Sequence, residues 1–171
     1  MNKERNFDDA LEISNKAIYY YRKAIELNLQ DDRLIHKYVM AIYMKYALII
    51  PENERAEEKK KVYSDALALL RQLYPEMKNS IYINYDMSLL LIHNIDYYNA
   101  FESISAANEI KKYCEKIYNE NPSFEDYDAG AILGRIHYLA PNIIFLLPWP
   151  DKALSKKYLE EALANNPESC L

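Results

Sequence analysis

Apolar residues recur at steps of three and four along most of this chain, which is the period of an amphipathic α-helix. Prolines and short polar residues interrupt the pattern at intervals, as they do where helices start and stop. The pattern predicts seven helices, over about 8–28, 31–49, 55–74, 81–93, 99–120, 127–139 and 150–166.

Particular residues mark where some of these helices begin and end. Asn79 is expected to cap the fourth helix, and Asp96 or Asn99 the fifth, because their side chains can accept hydrogen bonds from free backbone N–H groups. Pro75 is expected to end the third helix, since proline has no N–H for the helix ladder. The fourth helix is apolar on most sides through Leu89–Ile92 and is predicted to be the most buried.

The composition favours a helical fold. The 171 residues include only 2 glycines, too few for the turns of sheets and hairpins. Each predicted helix is apolar along one side and must pack against a neighbour, as in helical-repeat proteins. The sequence therefore predicts a single all-α domain over residues 1–171, an α-α superhelix of about seven antiparallel helices in a right-handed stack.

The charge is unevenly distributed along the chain. Residues 1–85 carry 14 Lys and Arg against 13 Asp and Glu, whereas residues 86–171 carry 7 against 13, so their net charges are +1 and −6. An acidic second half argues against nucleic acid and against anionic membrane surfaces as partners. The basic run Lys59–Lys61 is expected to be a solvated helix face rather than a docking patch.

No pattern typical of a catalytic, cofactor or metal site occurs, so the sequence predicts neither an enzyme nor a cofactor. His36, His93 and His137 fall on alternate helices, where they could share a groove. The alternative, which we adopt, is that they are scattered packing or surface residues, and no metal site is predicted. Cys114 lies on an apolar helix face and is expected to be a buried thiol, whereas Cys170 is expected to lie in a frayed chain end.

The most unusual segment is 142–149, an apolar link between two helices with the sequence Asn-Ile-Ile-Phe-Leu-Leu-Pro-Trp. Links are normally polar and exposed. This one either folds back to cap the last helix pair, or forms the wall of an apolar ligand cleft or a docking patch for a partner. Arg135 precedes the link and could either clamp a carboxylate bidentately or form an ordinary surface salt bridge.

The last two predicted helices resemble a tetratricopeptide repeat, and the first helix carries the same spacing of small and large residues at Ala17–Ile25. That resemblance implies paired helices, and arrays of such pairs usually bind rather than catalyse. The matching positions are Leu133 and Gly134, His137 or Tyr138 at the aromatic position, Ser155 at the small position, Leu159 at the large one, and Ala162, Leu163 and Pro167 at the end.

A second resemblance rests on the order of five segments along the chain, Ala17–Ile25, Leu34–Ile49, Tyr63–Leu67, Leu133–Pro141 and Lys152–Leu163. In this layout the chain resembles the T component associated with TRAP transporters. The resemblance implies a periplasmic, often lipid-anchored protein that supports the uptake of small organic ligands together with transporter partners.

The N-terminal residues contain no apolar stretch and no cleavage site, and no run is long enough to span a bilayer. As written, the chain is expected in the cytoplasm, or in the periplasm if an export signal has been removed. The sequence therefore leaves its compartment open and predicts no transmembrane segment.

These observations predict a non-catalytic binding module, a tetratricopeptide-like scaffold for a protein or peptide partner, or more narrowly an accessory subunit of a solute transporter. The alternative is a small-molecule-binding protein with an apolar cleft between the fourth and sixth helices and the 142–149 link. A homo-oligomer is compatible with both. A continuous exposed groove would favour a peptide, whereas a closed apolar pocket with one basic residue would favour a small ligand. The residues predicted to line the groove are Tyr43, Tyr85, Arg135, His137, Tyr138, Phe145 and Trp149.

Overall fold

The computed structural model describes residues 2–27, 30–51, 54–143 and 145–167, and it is helical. Asn28, Ile144 and Cys170, for which the sequence made predictions, lie outside these ranges. Within these ranges no strand is present, and the one β-type feature is an isolated bridge between Ile143 and Leu147. The all-α class is therefore confirmed. The superhelical repeat arrangement stays a prediction. The seven α-helices are α1 Asn2–Leu27, α2 Asp32–Tyr43, α3 Ala56–Met77, α4 Ile81–Asn94, α5 Ala100–Glu120, α6 Asp128–Leu139 and α7 Lys152–Asn165.

Side-chain caps define where several helices begin. Asn99 forms a capping box with Glu102, since the Asn99 Oδ1 accepts from the Glu102 N–H (3.1 Å) and the Glu102 carboxylate accepts from the Asn99 N–H (2.8 Å). Asn99 rather than Asp96 therefore caps α5. The predicted cap of α4 was wrong by one residue, because the Ser80 hydroxyl accepts from the Ile83 N–H (3.3 Å).

The prediction that Pro75 ends the third helix was also wrong. Helix α3 contains Pro75 and continues to Met77. Pro75 lies in the last turn, where its missing N–H removes a single bond, the one to the carbonyl of Arg71. A proline so close to a helix end costs too little to stop the helix before it.

The chain forms two compact units, Met1–Asp86 and Met87–Leu171. In the first unit, α2 continues as a π-helical segment, Met44–Ile49, and α1 packs against both parts, while α2 also packs against α3. The single domain predicted from the sequence stays a prediction. The fully buried side chains of the first unit include Ile35, Val39, Ile42, Leu70 and Ile83.

In the second unit, α6 packs against both α5 and α7. A 3-10 turn, Ile95–Tyr97, joins α4 to α5 and contacts α5. Helix α6 therefore lies between α5 and α7. The fully buried side chains here include Leu90, Leu91, Ile110, Ile117, Leu133 and Leu147.

Helix α4 is buried on most sides, although Asn84, Asp86 and Ser88 are among its buried residues. Its nine successive residues 83–91 are all buried. Over the part of the chain that the structure describes, no helix combines the length and the apolar character that crossing a membrane requires.

Lys59 departs from the expected solvated face. Its side chain is buried, and its ammonium group donates to the carbonyl oxygens of Ile50 (3.3 Å) and Pro51 (2.6 Å). These carbonyls follow the end of the π-helical segment, where the helix ladder supplies no N–H for them. Lys60 and Lys61 are exposed, so only part of the run is a solvated face.

Candidate functional site

Two helical stripes in the second unit face each other across an apolar cleft. On α6 the stripe consists of Ile132, Arg135, Ile136 and Leu139, at the i, i+3, i+4 and i+7 positions that share one helix face. The stripe on α5 follows the same steps. It consists of Ala100, Ser103, Ile104, Ala107 and Ile110.

The cleft has a volume of about 560 Å³. The space exists because α5 presents small side chains, Ala100, Ser103 and Ala107, where larger ones would reach α6. Of the fifteen lining residues all but Ser103 and Arg135 are apolar. The other elements contribute Ile92, Ile95, Ala140, Pro141, Ile143 and Leu147.

The cleft has a buried floor and an exposed mouth. Ala107, Ile110 and Leu147 are at most 8% exposed and form the floor. Leu139 is 67% exposed, and Arg135 is exposed as well. The cleft is therefore neither a closed cavity nor a groove that runs the length of the unit, and a ligand could enter from solvent.

The link between α6 and α7 forms one wall of the cleft. The backbones of Ile143 and Leu147 exchange hydrogen bonds of 3.0 and 2.7 Å, which close a tight turn. Phe145, at the tip of that turn, has a left-handed φ of 73° and a side chain that is 95% exposed. The turn thus directs Ile143 and Leu147 to the cleft and Phe145 to solvent.

Asn108 on α5 holds the link in place. Its Oδ1 accepts a 2.7 Å hydrogen bond from the Trp149 indole, and its amide donates to the Leu146 carbonyl at 3.5 Å. Trp149 also stacks edge-on against His137, with ring centroids 5.1 Å apart. The link therefore folds back onto α5 and α6, and its residues Ile143 and Leu147 also line the cleft. A ligand-binding or docking role for the segment stays a prediction.

His137 is buried beneath the link. Its Nδ1 accepts a 3.1 Å hydrogen bond from the backbone N–H of Asp151, the residue that caps α7. Burial, together with the charge of Lys111, lowers the pKa of His137 below the ordinary value of 6.5, against the opposite effects of Asp151 and Glu115. The neutral imidazole is thus the form that fits this position.

We expect the stability of the protein to fall as the pH drops below about 6.5, partly through His137. The unfolded chain takes up the His137 proton near the ordinary pKa, whereas the folded protein takes it up only at lower pH. Between these values the unfolded state binds more protons, so acid favours unfolding. Urea titrations at pH 7.5 and 5.5 measure the loss. The His137→Asn variant, whose Oδ1 can still accept from Asp151, should lose less than the wild type. Equal losses would contradict the assignment.

The seven predicted groove residues are divided between the units. Tyr43 is partly buried at the end of α2, and Tyr85 is buried with its ring 6.0 Å from that of His36, both in the first unit. The other five lie in the second unit. Arg135 lines the cleft, His137 and Trp149 contact each other behind it, and Tyr138 and Phe145 are exposed.

The remaining reactive side chains are held in other ways. His36 bonds to Asp86 within the first unit, with 2.8 Å between Nδ1 and Oδ1. Cys114 is fully buried, as predicted, and burial raises the pKa of its thiol to about 12. In residues 2–27, 30–51, 54–143 and 145–167, no group of three or more His, Cys, Asp or Glu side chains could hold a metal ion.

Sequence reasoning missed the contribution of α5. The cleft was expected beside the fourth and sixth helices, yet its opposite wall is the Ala100–Ile110 stripe of α5. The sequence did contain an indication of the α5 wall, because small residues recur at positions 100, 103 and 107 on one helix face. Nothing in the sequence indicated that Asn108 anchors the link, since an exposed asparagine in a helix is ordinary.

The chain was also compared with known proteins. No protein-family model matches it, and no curated protein is significantly similar to it.

Proposed function

We propose that this protein binds a small, largely apolar molecule in the cleft between α5, α6 and the link. The observation that carries the proposal is the lining, in which thirteen of fifteen residues are apolar and one, Arg135, is charged. Its volume of about 560 Å³ is within the range of roughly 300–1,000 Å³ that small-molecule sites occupy. Binding would remove both the ligand and the exposed lining from water, which is favourable.

The extent of the cleft favours a compact ligand over an extended peptide. Its lining comes from residues 92–147 alone, and the link residues Ile143 and Leu147 wall one side. A single positive charge in an otherwise apolar lining is the arrangement that orients one polar group of a ligand. An accessory role in solute transport, which the layout of the chain implied, is a narrower form of this proposal.

A protein-interaction scaffold is the second candidate, and one observation favours it. Phe145 projects from the tip of the link with 95% of its side chain exposed, next to Leu146, which is 49% exposed. Large exposed apolar side chains at a loop tip are typical of docking residues. A partner that docks there would lose affinity when Phe145 is replaced by serine, whereas filling the cleft would leave its affinity unchanged.

The proposal is tested with a neutral apolar dye, N-phenyl-1-naphthylamine, whose fluorescence rises in apolar sites. We expect the wild type to bind it and Ala107→Phe, which places a ring on the cleft floor, to bind it at least about tenfold more weakly, since the space is occupied. Thermal unfolding checks that the variant folds. Ser103→Phe also adds a ring to the α5 stripe, at a less buried position. It replaces Ala107→Phe in the experiment if that variant does not fold.

Phe145→Ser is the matched control, because it removes an exposed aromatic side chain outside the lining. Its dye affinity should equal that of the wild type. Dye binding that survives both cleft-filling substitutions, or that disappears in Phe145→Ser, would contradict a site in the cleft.

A further inference from the structure

Arg135 occupies an unusual position for an arginine. It lies on the cleft-facing stripe of α6, between Ile132 and Leu139, and is the one charged residue of the lining. It is also the single arginine in residues 86–171. An exposed arginine at the mouth of an apolar cleft can pair with a nearby acid, or it can contact the polar group of a molecule in the cleft.

No such pair forms within the chain as far as the structure describes it. No ion pair or hydrogen bond joins the Arg135 side chain to another described residue, and the lining contains no Asp or Glu. The surface salt bridge that was one of the two alternatives for Arg135 is therefore not formed among these residues. The hydroxyl of Ser103, across the cleft on α5, likewise makes no hydrogen bond to a described residue.

From this geometry we infer that the ligand is a carboxylate amphiphile, an alkyl or similarly apolar body in the cleft with its carboxylate on Arg135. This inference rests on the proposed function. The planar guanidinium donates two parallel hydrogen bonds that match the two oxygens of a carboxylate. The adjoining apolar walls weaken the competition of water for that pair and accept the body of the ligand.

The net charge of residues 86–171 favours a monoanion over a dianion. Residues 86–171 carry a net charge of −6, so a second negative charge on the ligand would meet repulsion that one arginine does not offset. A carboxylate is favoured over a doubly charged phosphate for that reason. A cationic head group would in turn be repelled by Arg135 itself.

The experiment measures competition with the neutral dye by three ligands that share a ten-carbon chain: decanoate, decanol and decyltrimethylammonium. In the wild type we expect decanoate to bind about tenfold more tightly than decanol, the usual magnitude of a charge-assisted hydrogen-bonded pair, and the cation to bind most weakly. In Arg135→Gln, decanoate should lose about that factor while decanol keeps its affinity. Arg135→Lys, which retains the charge but not the planar fork, should lie between the two.

Lys156→Gln provides the matched control, since it removes one positive charge on α7 from an exposed ion pair with Glu160. It should change none of the affinities beyond the general effect of net charge. Equal competition by decanoate and decanol in the wild type, or equal losses for both in Arg135→Gln, would overturn the inference but leave the apolar site standing. Failure of the wild type to bind the neutral dye would instead overturn the proposed function and this inference with it.

Discussion

Replacing Gly134 with alanine is expected to lower the free energy of unfolding by about 2 kcal/mol, because the added methyl group has no room. A Cβ atom at this position would lie 2.6 Å from the Cγ and 2.8 Å from the Cδ2 of Leu159, and 3.2 Å from its backbone nitrogen. The Cγ and Cδ2 atoms are at the branch of the partly buried Leu159 side chain, and the nitrogen atom is part of the backbone. The helices α6 and α7 would have to separate.

Separation is itself costly, because a buried hydrogen bond joins the two helices at the same place. The Ser155 hydroxyl on α7 donates to the Gly134 carbonyl at 2.7 Å, inside the contact. Moving α7 outward would lengthen this bond, and leaving a buried polar group without its partner costs free energy. The two effects act together, so relaxation around the new methyl group is limited.

Gly130 offers a matched control on the same helix. A Cβ atom there would lie 3.5 Å from the Tyr118 ring, an ordinary contact, and neither glycine has a positive φ. Gly130→Ala should therefore raise the free energy of unfolding by up to about 0.5–1 kcal/mol, since alanine favours helix over glycine. Urea denaturation of both variants measures the difference. Equal effects of the same sign would show that α6 and α7 are not as close as described.

Replacing His36 with phenylalanine is expected to destabilise the first unit by about 3 kcal/mol, because the buried Asp86 carboxyl group would lose a hydrogen-bond partner. The Asp86 side chain is 0% exposed and lies 2.8 Å from the Nδ1 of His36, whose side chain is 12% exposed. Phenylalanine preserves the ring that packs 5.0 Å from Tyr82, so the substitution removes the polar contact while keeping the packing.

His36→Asn is the control, because its amide nitrogen can take the place of Nδ1 and donate to Asp86. It should cost about 1 kcal/mol less than His36→Phe, although it loses the ring. Circular dichroism during urea unfolding gives both values. A phenylalanine variant as stable as the wild type would mean that the His36–Asp86 contact contributes nothing to the fold.

The sequence predicted the helices well, because their caps and periods are local. The cap at Asn99 is a local signal, and the structure confirms it. The failures at Pro75 and Lys59 have separate physical causes. Pro75 stays within α3 because it lies in the last turn, where it removes only one backbone hydrogen bond. Lys59 is buried since distant carbonyls accept from it, a contact that no local pattern encodes.

The candidate site was only partly predictable. Arg135 and the link could be singled out, since a charged residue on an apolar stripe and an apolar link are both visible in the sequence. The cleft itself depends on the distance between α5 and α6, which no local pattern encodes. A small residue on a helix face, such as Ala107, is equally typical of close packing. The resemblance to tetratricopeptide repeats and to the TRAP transporter T component remains a prediction.

Asn108 lies outside the cleft, yet it binds the 142–149 link, and this link forms one wall of the cleft. A ligand that binds the cleft more tightly when the link is attached would strengthen that attachment by the same free energy by which attachment strengthens its binding. It follows that an occupied protein should keep Trp149 seated against α5 more firmly than an empty one. The single tryptophan of the chain would then act as an internal probe of such a ligand.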